Sequence, residues 1–145
     1  MFSSVLHYII QFPEGAFFKL NYILKKMQKF NFSYDKENDD LFLFNPKSKS
    51  KGSVELGDII FDFNSKKEFV GMQIMNASKI IKDMTTETAN SIKELLNNLK
   101  ECKVDVKSKN NLLIIKLNLL SKLKEVSPII SIPNIKETSH ALAYA

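Results

Sequence analysis

Residues 31–44 read NFSYDKENDDLFLF. With Phe30 ahead of them, Phe32 and Tyr34 alternate with Asn31 and Ser33. A period of two places the aromatic set on one face of a half-buried strand. Residues 35–40, DKENDD, suit a tight turn, because Asp and Asn side chains hydrogen-bond the local backbone. The chain returns as LFLF, residues 41–44, apolar at every position and so expected to be buried on both faces. The stretch is a β-hairpin with an acidic tip. Asp35, Glu37 and Asp39 do stand at relative positions 1, 3 and 5 of a calcium loop. Position 6 of that loop needs Gly and here is Asp40; position 12 needs Glu and here is Pro46. The strand also resumes at Leu41, which leaves too little loop to wrap a cation. The acids therefore read as a turn, neither a metal site nor a catalytic carboxylate pair. Tyr34 is expected to donate its phenol to a backbone group, and Asp35 to fix the turn.

Downstream, SVELGDIIFDFN (53–64) is a strand system with Ile59, Phe61 and Phe63 on one face, Asp58 and Asp62 on the other, and Gly57 at a bulge or kink. FVGMQIM (69–75) follows as a strand with Val70, Met72 and Ile74 on one face. NASKIIKDM (76–84) reads as a short helix capped by Asn76 or Ser78. In TTETANSIKELLNNLKE (85–101), Ile92, Leu95, Leu96 and Leu99 form the stripe of an amphipathic helix, with Thr85 or Thr86 as its cap. CKVDVKS and LLIIKLNLL are strands joined by the turn KNN at 109–111. VSPIISIP (126–133) is one more strand. Pro128 and Pro133 lack the N–H donor and assign it to an edge, a place for partner pairing. The fold class is α+β: an antiparallel sheet of about six or seven strands with one or two helices packed on one face.

Ahead of the hairpin, residues 1–29 comprise an apolar run, a PEG turn and a basic amphipathic helix in AFFKLNYILKKMQKF. Met27 immediately precedes the first clear strand and is a second candidate start of the protein. Residues 30–145 then form a single domain, with a ββββα half (30–84) and a helix plus strands (85–145). No stretch approaches the roughly 18 apolar residues of a spanning helix. The N-terminal run lacks a basic leader and a small-residue cleavage site. With one cysteine, Cys102, at the start of a strand, the expected location is a reducing cytoplasm.

The chain has 145 residues and a net charge of +5, and its pI is about 9.2. All its basic residues are Lys, and Lys, Asn and Ile together fill 49 positions. That composition is typical of an AT-rich genome, so part of the charge is compositional. Arg is the side chain that reads guanine bidentately, and its absence argues against sequence-specific DNA recognition. Non-specific attraction to phosphate stays open. Its footprint is the loop NPKSKSKG (45–52), where Lys47, Lys49 and Lys51 are the possible anion contacts. Stacking aromatics are not expected beside it, since Phe42 and Phe44 lie on a strand read as buried. A second anion position is the helix start at Asn76–Ser78. No glycine-rich phosphate loop, Cys/His metal spacing or nucleophile motif is present in the sequence. No cofactor is expected.

Two motifs carry a family likeness. YDKENDDLFLF is followed by GDIIFDFNSKKEFVGMQIMNASKII, in which VGMQIMNAS is the most specific part. Over residues 30–83 the chain resembles the uncharacterised prokaryotic family catalogued as domain of unknown function 2283, and its C-terminal half resembles an archaeal-type extension. Gln73 stands where the family more often has Glu, and LFLF where Leu-Tyr-Ile is commoner. The resemblance implies a small antiparallel β-fold with a helix, and structural roles for Tyr34, Asp35, Asp39, Asp62, Gly71, Asn76 and Ser78. It brings no activity, only an association with toxin–antitoxin-like gene pairs. The expected function is a small non-catalytic interaction module with a protein partner or a second copy of itself. The alternative is a non-specific nucleic-acid binder acting through its Lys clusters.

Overall fold

The computed structural model describes residues 27–134. Most of the N-terminal apolar and basic segment, and the tail from residue 135, lie outside the described residues. The elements run β1 (Gln28–Asp35), β2 (Asp40–Phe44), β3 (Gly52–Leu56), β4 (Ile59–Phe63), β5 (Phe69–Ile74), α1 (Ala77–Asp83), α2 (Ala89–Asn97), β6 (Leu99–Lys109), β7 (Leu112–Ser121), β8 (Glu125–Val126) and β9 (Ile129–Pro133). All strand pairs are antiparallel. They form one nine-stranded sheet in the order β3-β4-β5-β2-β1-β6-β7-β8, with β9 also on β7. Strand β1 joins the two halves. Its first residues pair with β6 and its last five with β2.

The strand count exceeds the six or seven expected, for two local reasons. Gly57 does not make a bulge. It has φ +60° and opens a two-residue turn between the partners Leu56 and Ile59, so the single strand system is the hairpin β3–β4. Only the first central residue has positive φ, the pattern of a type II′ turn. The second reason is Pro128. Strands β8 and β9 keep one continuous register along β7. Between them Leu117 N donates to Pro128 O at 2.9 Å, an ordinary backbone distance. Pro128 has no N–H to return, and the strand is interrupted there. The proline-bearing strand lies at the edge beyond β7, as its sequence requires.

One face of the sheet carries the core: Phe30, Leu41, Leu43, Phe61, Phe63, Met72, Ile74, Val104, Ile115, Leu117 and Leu119 are buried. Helix α1 adds Ala77 and Ile81, and α2 adds Ile92, Leu95 and Leu96, to the same cluster. LFLF is not buried on both faces. Leu41 and Leu43 face the core, but Phe42 and Phe44 are 38% and 48% exposed on the opposite face. The strand keeps the ordinary alternation, with aromatic side chains where polar ones are expected. Val70 is the extra residue of a bulge, since Phe63 pairs with Phe69 while Asp62 pairs with Gly71. It leaves the Met72–Ile74 row. Helix α2 starts later than read, with Thr88 as its cap; the Thr88 hydroxyl accepts from Ser91 N at 3.1 Å. It also ends earlier, so Leu99 belongs to β6.

Cys102 is buried in β6, and burial first, then the nearby Glu101 carboxylate, push its thiol up to about 12. The thiolate is the reactive form. A disulfide-exchange reagent at pH 8 is expected to leave the folded chain unlabelled and to label one thiol per chain in denaturant. Fast labelling of the native protein would contradict the packing.

Candidate functional site

The hairpin tip closes on itself first. Asp35 and Asp40 are partners, and residues 36–39 make the loop. Asp35 Oδ1 accepts from Glu37 N at 3.0 Å and Asn38 N at 3.2 Å, and Asn38 Nδ2 donates to Asp35 Oδ2 at 2.7 Å. These bonds, the Asn38 side chain foremost, hold the Asp35 carboxyl below its usual range. The last loop residue, Asp39, adopts φ +56°, a left-handed conformation that Asp tolerates better than most residues.

That conformation turns Asp39 away from the tip toward helix α1. Its Oδ1 accepts from Tyr34 Oη at 2.5 Å. Its Oδ2 accepts from Ser78 Oγ at 2.6 Å, and Ser78 N lies 3.2 Å from both oxygens. Its carbonyl accepts from Ala77 N at 2.8 Å. The phenol of Tyr34 thus meets a carboxylate, not the backbone group expected. Asn76 sits at the N-cap position with φ +52°, and its side chain makes no cap bond. Asp39, 39 residues earlier in the chain than Ser78, supplies the cap instead. The anion at this helix start is the chain's own carboxylate, placed where the orphan Ser78 N–H and the helix dipole favour it, while the Asp39 carbonyl takes the Ala77 N–H.

Tyr34, Asp39 and Ser78 are therefore one clasp between hairpin and helix, and Asn76 supplies the left-handed turn that leads into the helix. Asp35 stiffens the tip beside it. Asp62 and Gly71 stand elsewhere, as partners on β4 and β5 on the outer face. Asp62 Oδ1 accepts from Ser53 Oγ at 2.6 Å, tying β4 to β3. A Cβ on Gly71 would lie 2.7 Å from the backbone oxygen of Leu43.

The clasp makes the fold sensitive to alkali. Burial first, then the bond to Asp39, raise the Tyr34 phenol well above its ordinary value. The folded state binds this proton more tightly than the unfolded state. The associated stability is complete below the unfolded value of about 10 and is lost as pH rises beyond it. Urea midpoints from pH 8 to 11 are expected to fall more steeply above pH 10 for the native sequence than for Tyr34→Phe. Parallel curves would contradict the clasp.

The family model for proteins of unknown function named DUF2283 matches residues 31–78. An uncharacterised protein of Methanocaldococcus jannaschii, MJ0789, is 37% identical over 101 residues, covering 68% of this chain and 80% of that protein. The chain belongs to the DUF2283 family. The matched DUF2283 segment begins on β1 and stops at Ser78, the residue that closes the clasp. A protein of Methanosarcina mazei that carries the provisional name hypoxanthine phosphoribosyltransferase is 29% identical over 97 residues, covering 66% of this chain and 72% of that protein. No solved structure matches this DUF2283 chain.

Lys47, Lys49 and Lys51 line a shallow cleft of about 360 Å³, together with Lys66, Asn64 and Glu68. Asn64 builds it. Its Oδ1 accepts from Lys66 N and Glu68 N, and its Nδ2 donates to Ser48 Oγ, so it ties the β4–β5 loop to the Lys-rich loop. Sequence reading missed Lys66 and Asn64, although the turn NSKKE carried both. It also missed a second polar group. Lys124 Nζ lies 2.8 Å from Glu87 Oε2 and also bonds Ser91 Oγ, pinning the start of α2 to the turn before β8. The Lys124 bond first, then a bond from Ser91 Oγ to Glu87 Oε2 at 3.1 Å, lower the Glu87 carboxyl from its ordinary value. Among the described residues no group of three or more His, Cys, Asp or Glu could hold a metal ion, and no helix is long and apolar enough to cross a membrane.

Proposed function

We propose that this DUF2283 protein is a non-catalytic binding module that takes a polypeptide partner by strand addition, within a two-protein system of the toxin–antitoxin type. One observation carries the reading. The two edges of the sheet differ. The β8–β9 edge is interrupted at Pro128, whose backbone faces β7, and Pro133 removes an outward donor at its end. Edge β3 is unbroken by proline and has no neighbour on its outer side among the described residues. A proline-broken edge is a poorer template for pairing than an intact one, and the core-side residue of β3, Leu56, is 42% exposed.

The motif residues support the same reading from the other side. Asp39, Tyr34 and Ser78 spend their polar atoms on one another, which suits architecture better than turnover. The name of the M. mazei relative suggests an enzyme, and an assay for phosphoribosyl transfer to hypoxanthine tests it directly; no turnover is expected.

Glu55→Pro is the variant that tests strand addition. Co-expression with the product of the adjacent gene is expected to give a stoichiometric complex for the native chain and none for Glu55→Pro. An intact complex in the variant would contradict it.

A second reading, non-specific nucleic-acid binding, gains from Phe42 and Phe44. They are exposed on the outer face, and Phe44 ends the strand that leads into the lysine cleft. Stacking aromatics beside basic side chains suit single strands. A gel shift with single-stranded oligonucleotides, lost steeply with salt and weakened by Phe42→Ala, would favour this reading over the first.

A further inference from the structure

Resting on the strand-addition reading, the bonding phase of β3 points to its occupant: we propose that a second copy of this chain pairs antiparallel along β3, with Val54 facing its own counterpart. Met75 N donates to Asp58 O at 2.8 Å. That bond fixes the alternation along β4. Asp58, Ile60 and Asp62 turn their backbone groups toward β5, so Ile59, Phe61 and Phe63 turn theirs toward β3. Their partners Leu56, Val54 and Gly52 are the bonded residues of β3. Ser53 and Glu55 are left with N–H and C=O directed outward.

A two-fold pairing that uses these groups has three simple registers. Centring on Glu55 sets two carboxylates face to face, which is unfavourable. Centring on Ser53 calls on the Lys51 N–H, already given inward to Phe63 O at 2.7 Å. Centring on Val54 pairs Ser53 with the partner's Glu55 and the reverse, so both outward donors and both acceptors of each strand are used. On the core side it sets Val54 against the partner's Val54 and Leu56 against the partner's Gly52. It thereby covers the apolar row that the edge leaves half-exposed. On the outer side Ser53 meets the partner's Glu55 at both ends of the pairing, so no like charges are opposed. The edge is self-complementary in backbone bonding and apolar contact. Two paired five-residue strands make a small interface, so the dimer dissociates on dilution.

Sedimentation equilibrium of the full chain over a hundredfold concentration range is the test. The native chain is expected to pass from monomer to dimer. Ser53→Lys, which sets an ammonium against the partner's Glu55 at both ends of the pairing, is expected to strengthen dimerisation about tenfold, on the order of two weak charge pairs gained. Adding Glu55→Lys is expected to cancel the gain. Glu55→Pro, whose lost N–H serves only the outer edge, is expected to stay monomeric with an unchanged urea midpoint. A native chain that is monomeric throughout, or a dimer indifferent to Glu55→Pro, overturns the proposal. If the native chain is monomeric while Glu55→Pro still abolishes the complex with the adjacent gene's product, the second copy is excluded and strand addition to another chain stands.

Discussion

Asp39→Ala is expected to cost about 3 kcal/mol of folding stability, read as a lower urea midpoint at unchanged slope. The substitution removes the acceptor of the Tyr34 phenol, the Ser78 hydroxyl and the Ser78 N–H together. Loss of a helix cap alone is worth roughly 1 kcal/mol. The partly buried hydroxyls left without an acceptor add to it, as does a β-carbon residue less tolerant of φ +56°. Asp39→Asn keeps an acceptor and tolerates the left-handed backbone, so about half the loss is expected there. The order separates a structural clasp from a catalytic acid. A clasp loses stability stepwise with its hydrogen bonds, while a catalytic acid can be removed with little effect on the fold.

Gly71→Ala is the second large effect, with a loss of about 3 kcal/mol or failure to accumulate as soluble protein. Gly71 pairs with Phe44 on β2 and with Asp62 on β4. An added Cβ meets the Leu43 carbonyl oxygen at 2.7 Å and the Cα of Phe44 at 3.4 Å. Both are backbone atoms of a central strand held on its other side by β1, so neither can swing aside. The Asp62 carboxylate, also at 3.4 Å, can move. Gly71→Ala combined with Asp62→Ala is therefore expected to be no better than Gly71→Ala alone. Rescue by Asp62→Ala would show that the side chain, not the backbone, sets the limit.

Periodicity made the architecture legible where one face is buried and the other wet. The hairpin of β1 and β2, the β6–β7 pair with its turn at Asn110 and Asn111, and the proline-marked edge follow from local rules. Both Asn residues have positive φ, as a type I′ turn demands. Reading failed where two devices share one sequence sign. Gly57 fits a bulge or a turn, and only the pairing of Leu56 with Ile59 decides. LFLF fits a strand buried on both faces or one whose outer face is aromatic. The alternation of exposure decides that, and it reopens a nucleic-acid reading that burial had argued against.

The clasp was half legible. Tyr34, Asp39, Asn76 and Ser78 stand out in the motif, but a cap supplied from 39 residues away leaves no local spacing to read. The positive φ of Asp39 and Asn76 is the geometric price of aiming one carboxylate at a helix that begins on another strand's end.

A double-mutant cycle between Asp39→Ala and Ser78→Ala, followed by urea unfolding, tests the central claim most directly. A coupling of about 1–2 kcal/mol is predicted, because each side chain loses its partner when the other is removed. Additive losses, with no coupling, would mean that the motif residues do not act as one clasp, and the architectural account of the motif would be contradicted.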